Sequence, residues 1–249
     1  YIAQALPAAD LICDILPESV RKKYNLMRTG DAIRNIHFPI SLEQADRARE
    51  RVSFDEILTL FLRLSTLKIK RKSQAGIRLY PVDMSEFYSC LPFPLTGAQK
   101  RVCEEAFRDM TSPSPMNRLV QGDVGSGKTM VAAACMYLAA KNGAQAARMA
   151  PTEILARQHY ASLRALFERF GFACTLLTSS TKATERREIL QGLLSGKINI
   201  LIGTHSLITD DIVFSRLALV ITDEQHRFGV SQRALLSAKG ERPHTLVMS

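Results

Sequence analysis

Long apolar runs are missing from this chain: nothing approaches about 18 consecutive uncharged apolar residues, so no membrane-spanning helix is expected. The first 17 residues lack the basic start of a signal peptide and carry Asp10 and Asp14, which leaves cytoplasmic residence as the default expectation. The five cysteines (13, 90, 103, 135 and 174) are odd in number and form no C-x-x-C pair. Neither a zinc site nor a disulfide framework is therefore suggested, and they read as reduced thiols, mostly in the core. No internal repeat or low-complexity tract is present. The chain also lacks an initial methionine and stops inside a strand-like run, Thr245 to Ser249, so it is expected to be a piece of something longer.

What is present begins with 46% apolar residues in 249, enough for a sizeable core in one large domain or two smaller ones. Thirty-three Lys and Arg against 24 Asp and Glu leave a formal charge of +9, a balance that favours polyanions such as nucleic acid. Prolines 7, 17 and 39 with the basic cluster Arg21-Lys22-Lys23 suggest short helices and turns at the start. From Ser41, paired with Gln44 as a capping box, a long charged amphipathic helix is predicted to about residue 72, with Val52, Phe54, Ile57, Leu58, Phe61, Leu62 and Leu64 at helical spacing. Its basic tail, Lys68-Ile69-Lys70-Arg71-Lys72, reads either as a solvated face or as a phosphate contact. Gly76, Pro81, Pro92 and Pro94 then mark a boundary near residue 90. Beyond it, strands at 118–121, 146–150, 173–177, 198–202, 217–222 and 245–248 alternate with helices at 97–110, 127–141, 153–169, 183–195 and 230–238. That is the pattern of a parallel sheet covered on both faces.

The stretch Gly122-Asp123-Val124-Gly125-Ser126-Gly127-Lys128-Thr129 fits G-x-x-x-x-G-K-[ST] at every fixed position, between a strand-like and a helix-like run. Glycines let successive backbone N–H groups turn inward onto phosphate oxygens, and the helix N-terminus adds partial positive charge. Lys128 would reach the β- and γ-phosphates and the Thr129 hydroxyl would ligate magnesium. The second constellation is Asp223-Glu224, which arrives at the C-terminal end of the apolar run Leu217-Ala218-Leu219-Val220-Ile221-Thr222, where open α/β sheets bind ligands. Asp223 would hold the metal, and Glu224 would orient and deprotonate the attacking water. An acidic pair capping the next helix is the simpler alternative.

Asp223-Glu224-Gln225-His226, extended by Arg227-Phe228-Gly229-Val230, resembles the D-E-x-H box of superfamily-two helicases and within them the RecG-type DNA helicase motor. So do Leu119-Val120-Gln121, Leu95-Thr96-Gly97-Ala98-Gln99, Ser114-Pro115-Met116-Asn117-Arg118, Ala150-Pro151-Thr152-Glu153-Ile154-Leu155-Ala156 and Gly203-Thr204-His205. The resemblance implies a RecA-like P-loop NTPase lobe over residues 91–249, preceded over 1–90 by a helical connector that follows a wedge domain. It implies ATP and Mg2+ as cofactors, and branched or forked DNA as partner. It also implies that the second motor lobe, with its arginine finger, lies outside this chain, so that the chain alone would bind ATP weakly and hydrolyse it barely or not at all. In the same terms Gln99 resembles the adenine-reading glutamine, and Phe93 either stacks on the base or packs in the core. Lys128, Asp223, Glu224 and His226 carry the chemistry and its coupling to movement. Pro151, Thr152, Thr204, His205, Arg227 and Phe228 are candidate DNA contacts, although Thr152 could equally be a plain N-cap. The related transcription-repair coupling motor, and a nucleotide-responsive DNA-binding module without unwinding activity, are the alternatives. One residue departs from the family pattern: Arg148 stands where an apolar strand residue is usual, and inside a parallel sheet it needs a partner or an edge position.

Overall fold

In the computed structural model, residues 1–72, 75–223 and 235–249 are described. They divide into two compact units, Tyr1–Lys70 and Arg71–Ser249.

The first unit is built from short helices α1 (Ile2–Ala5), α2 (Glu18–Lys23) and α3 (Thr29–His37), and from α4 (Leu42–Lys72), the long predicted helix. Only half of the expected capping box forms at its start: the Gln44 amide donates to Ser41 Oγ at 3.2 Å. The unit centres on a charged residue. Arg51 of α4 is fully buried, and its guanidinium donates to Asp55, to both carboxylate oxygens of Asp14, to the Met27 carbonyl and to the Thr29 hydroxyl. Further along α4 the apolar side chains Ile57, Leu60, Phe61, Leu62 and Leu64 are exposed.

The second unit starts upstream of the boundary expected near residue 90. Leu79, Met84 and Phe87 of the 75–90 segment, the last in α5 (Ser85–Ser89), lie in the same apolar core as the sheet. Phe87 meets Tyr137 with ring centroids 5.0 Å apart, and Tyr137 donates to Glu86 at 2.9 Å. The prolines and glycine that suggested a boundary therefore shape an irregular segment that is packed down by its aromatic and aliphatic residues.

Six strands, β1 (Asn117–Val120), β2 (Gln145–Met149), β3 (Cys174–Leu177), β4 (Ile200–Gly203), β5 (Leu217–Asp223) and β6 (His244–Met248), form one sheet in the order β1-β6-β5-β2-β4-β3, every pair parallel. Parallel strands buried on both faces need apolar runs rather than alternation, and β5 is buried from Leu217 to Thr222. On one face pack α6 (Gly97–Met110), α7 (Lys128–Lys141) and α8 (Glu153–Glu168); on the other lie α9 (Ala183–Leu194) and the 3-10 turn His205–Ile208. Helix α7 is buried along its whole middle, residues 131–140, which its alanines permit by letting neighbours approach closely. The predicted helix at 230–238 falls largely outside the described residues. At the sheet's start, His244 accepts from the Met116 amide at 2.9 Å and lies 2.8 Å from the Ile77 carbonyl, an arrangement that puts its proton on Nε2; burial pushes its pKa below the usual histidine value.

Candidate functional site

The loop between β1 and α7 takes its shape from glycines. Gly125 and Gly127 have φ of +84° and +81°, and a Cβ on Gly127 would stand 2.2 Å from Gln99 Nε2. Gly127 is the N-cap of α7 with no side-chain cap; the Met130 amide donates to the Gly127 carbonyl, and the Lys128 and Thr129 amides before it are available to an anion. The Lys128 ammonium folds over the loop, donating to the Gly122 carbonyl and, at 3.0 Å, to that of Asp123. Gln99 braces the loop from α6: its Nε2 donates to the Ser126 carbonyl at 2.8 Å, while its Oε1 accepts from the Thr96 amide in a capping box that the sequence reading did not identify.

A cleft of about 430 Å³ opens over this loop. Gly122, Gly125, Ser126, Gly127, Lys128 and Thr129 line it together with Phe93, Asp223, Arg148, Met130, Met248 and Ser249. Phe93 is about half exposed, so it is a wall of the cleft rather than a core residue. The P-loop residues and Asp223, 94 or more positions apart in the chain, are thus brought together by the crossing from β1 to β5. Glu224, His226, Arg227 and Phe228 lie outside the described residues. The candidate DNA residues sit elsewhere. Thr152 is the N-cap of α8, its hydroxyl accepting from the Leu155 amide at 3.3 Å, and remains exposed beside Pro151. The Thr204 side chain is buried, its hydroxyl 3.5 Å from that of Ser206, and of that pair only His205 is exposed.

Arg148 resolves the conflict raised by its position in β2. The strand is interior, between β5 and β4, so the residue has no edge to escape to, and it has found a partner. Its Nη2 donates to Asp223 Oδ2 at 2.9 Å and lies 3.1 Å from His159 Nε2, which is itself 2.8 Å from the same oxygen. Alternation along the strands explains the meeting. Arg148 shares its face of β2 with Ala146, and Asp223 shares that face of β5 with Leu219 and Ile221. Burial works to raise the Asp223 pKa, yet the His159 hydrogen bond and the Arg148 charge hold it at about 2. Burial also pulls the Arg148 pKa below its usual value against the pull of Asp223, but a guanidinium starts so high that it stays charged. Its Nε and Nη1, both buried, have no hydrogen-bond partner among the described residues. Such orphaned donors cost on the order of 1–3 kcal/mol each. His159 was missed by the sequence reading.

This set fits a nucleotide with a divalent ion: a glycine loop that a Cβ would obstruct, a lysine over it, a hydroxyl at Thr129 and a carboxylate held ionised opposite. A DEAD/DEAH box helicase family model matches residues 96–249, more than half of the chain. The chain belongs to that family. It is 48% identical to the ATP-dependent DNA helicase RecG of Bacillus subtilis over the whole of this chain and 37% of that protein, and 47% identical to that of Synechocystis over 96% of this chain and 29% of that protein. A solved RecG bound to a three-way DNA junction aligns with a TM-score of 0.82 at 40% identity, covering all of this chain and 34% of its own. The chain therefore spans about a third of the length of these helicases. The helicase resemblance read from the motifs and the RecA-like parallel fold are both shown, and with them nucleotide binding as a property of the family. Among the described residues no helix is long and apolar enough to cross a membrane.

Proposed function

We propose that this chain is the ATP-binding motor lobe of a DNA helicase or translocase that remodels stalled replication forks and recombination intermediates in the cytoplasm. In this reading residues 1–90 are the connector, its last part (75–90) packed into the core of the lobe, and 91–249 the lobe, with the wedge domain and second lobe supplied by the rest of the protein. The observation that carries it is the cleft shared by Gly122, Lys128, Thr129 and Asp223 at the C-terminal ends of β1 and β5.

The loop amides and Lys128 would bind the ATP phosphates, Gln99 the adenine edge and Phe93 its face. Thr129 and Asp223 would hold Mg2+, which supplies neutralisation of the phosphate charge. Glu224 would take the proton of the water that attacks the γ-phosphorus, and the bond from that phosphorus to the bridging oxygen breaks. His226 would pass the state of the cleft to neighbouring elements. Pro151, Thr152 and His205, with Thr204 buried behind it and Arg227 and Phe228 beyond β5, would touch DNA. Alone, the lobe lacks the arginine finger, which contributes on the order of 10³ to 10⁵ in rate, so its own turnover is expected to be very low.

Strand displacement on forked DNA by the full-length protein tests this. Lys128→Ala and Glu224→Gln should each lower the rate at least about a hundredfold while DNA binding persists. Unchanged displacement in both would overturn the reading and favour a binding module.

A further inference from the structure

We propose that Arg148 is a fixed cation in the metal half of the nucleotide site, sharing Asp223 with the divalent ion and making nucleotide binding less dependent on Mg2+. This rests on reading the cleft as an ATP site.

Three observations carry it. Arg148 lines the cleft together with the P-loop, yet its side chain is buried, so salt screens it much less than a surface charge. The charge it neutralises is that of Asp223, the carboxylate best placed to meet the metal. Both of that residue's contacts, from Arg148 and His159, fall on Oδ2, and among the described residues no hydrogen bond falls on Oδ1. Finally, the guanidinium is over-supplied with donors for its partners, because Nε and Nη1 are buried and have no partner among the described residues.

The chemistry follows from charge. A divalent ion approaching Asp223 Oδ1 meets a carboxylate already paired and a positive charge held beside it, which weakens its binding. A polyphosphate without its metal meets, in the same cleft, a second cation besides Lys128, which strengthens its binding. Thermodynamic linkage joins the two effects: the arginine lowers the factor by which Mg2+ and nucleotide favour one another. With an apolar residue at the position, Asp223 would carry its full charge toward the metal and the coupling would rise.

The test is a titration of the full-length protein with a fluorescent ATP analogue, in Mg2+ and in EDTA, for wild type, Arg148→Leu, Arg148→Lys and Lys128→Ala. The ratio of Kd in EDTA to Kd in Mg2+ should rise about tenfold or more in Arg148→Leu and stay near wild type in Arg148→Lys, which keeps the charge. A residue that only filled the core would alter stability and leave the ratio alone. If the leucine variant does not fold, Arg148→Gln, which keeps polar atoms and loses the charge, carries the same expectation. Lys128-sensitive binding with an unchanged ratio in the neutral variants overturns the proposal alone. Binding that is indifferent to Lys128 overturns the ATP-site reading, and the proposal with it.

Discussion

Among the described residues two arginines are buried, one in each unit, and they are treated in opposite ways. Arg51 is surrounded: Nε donates to Asp55, Nη1 and Nη2 to Asp14, to the Met27 carbonyl and to Thr29, so five contacts spend the whole fork of the guanidinium. Arg148 has one carboxylate and one imidazole, both at Nη2, and two of its nitrogens have no partner among the described residues. A saturated buried cation fixes the geometry of everything around it. An unsaturated one at the floor of a cleft is a cost to the fold, and such costs gather where a ligand is to be met. The difference assigns Arg51 to architecture and Arg148 to the site.

The comparison can be broken most readily at Arg51. Arg51→Met strands Asp14 and Asp55 and should cost about 3–5 kcal/mol in urea unfolding; a loss below about 1 kcal/mol would show that the network is ornamental. Acid gives the next largest effect. Burial opposes ionisation of Asp14, but the Arg51 hydrogen bonds and the Leu16 and Thr29 amides hold its pKa at about 2 against 3.8 unfolded. A carboxylate depressed in the fold stabilises above the unfolded value and loses that contribution as pH falls through the folded one. Asp14 should therefore contribute on the order of 2 kcal/mol above pH 4 that disappears towards pH 2, and Arg51→Met should flatten that part of the pH profile. Asp223, also near 2, keeps its own acid step in that variant. Gly127→Ala comes third: its φ of +81° and the Gln99 contact make a Cβ cost about 1–2 kcal/mol, with nucleotide affinity falling alongside. The smallest change is expected from Arg148→Leu, within about 1 kcal/mol of wild type, because the loss of the Asp223 pair is offset by removal of two orphaned donors. A loss as large as that of Arg51→Met would erase the distinction.

The same contrast explains what was legible in the sequence. The P-loop could be read because its backbone shape demands particular residue types at fixed places. Helix α6 was predicted with both ends correct, and β5 was evident as an unbroken apolar run, since burial on both faces permits little else. Arg148 was recognisable as a misfit in its strand. Its partners were not, because Asp223 is 75 residues away and His159 reaches Asp223 across 64, and only the placing of β2 beside β5, with α8 over them, brings the three together. Gln99 was assigned to adenine on resemblance and on the match of a carboxamide to the adenine edge; its capping box with Thr96 and its bond to Ser126 show how the residue is held against the loop. The prolines and glycine in and just after the irregular 75–90 stretch led to a boundary near residue 90, whereas its Leu79, Met84 and Phe87 belong to the core.

The proposed function stands or falls with ATP binding in the cleft through the glycine loop and Lys128. Equilibrium binding of a fluorescent ATP analogue to the full-length protein and to its Lys128→Ala variant in Mg2+ tests it most directly. Saturable binding is expected of the wild type and a Kd at least about tenfold weaker of the variant, on the scale of one lost charge-assisted contact. Equal affinity in the two, with both proteins folded, would contradict it.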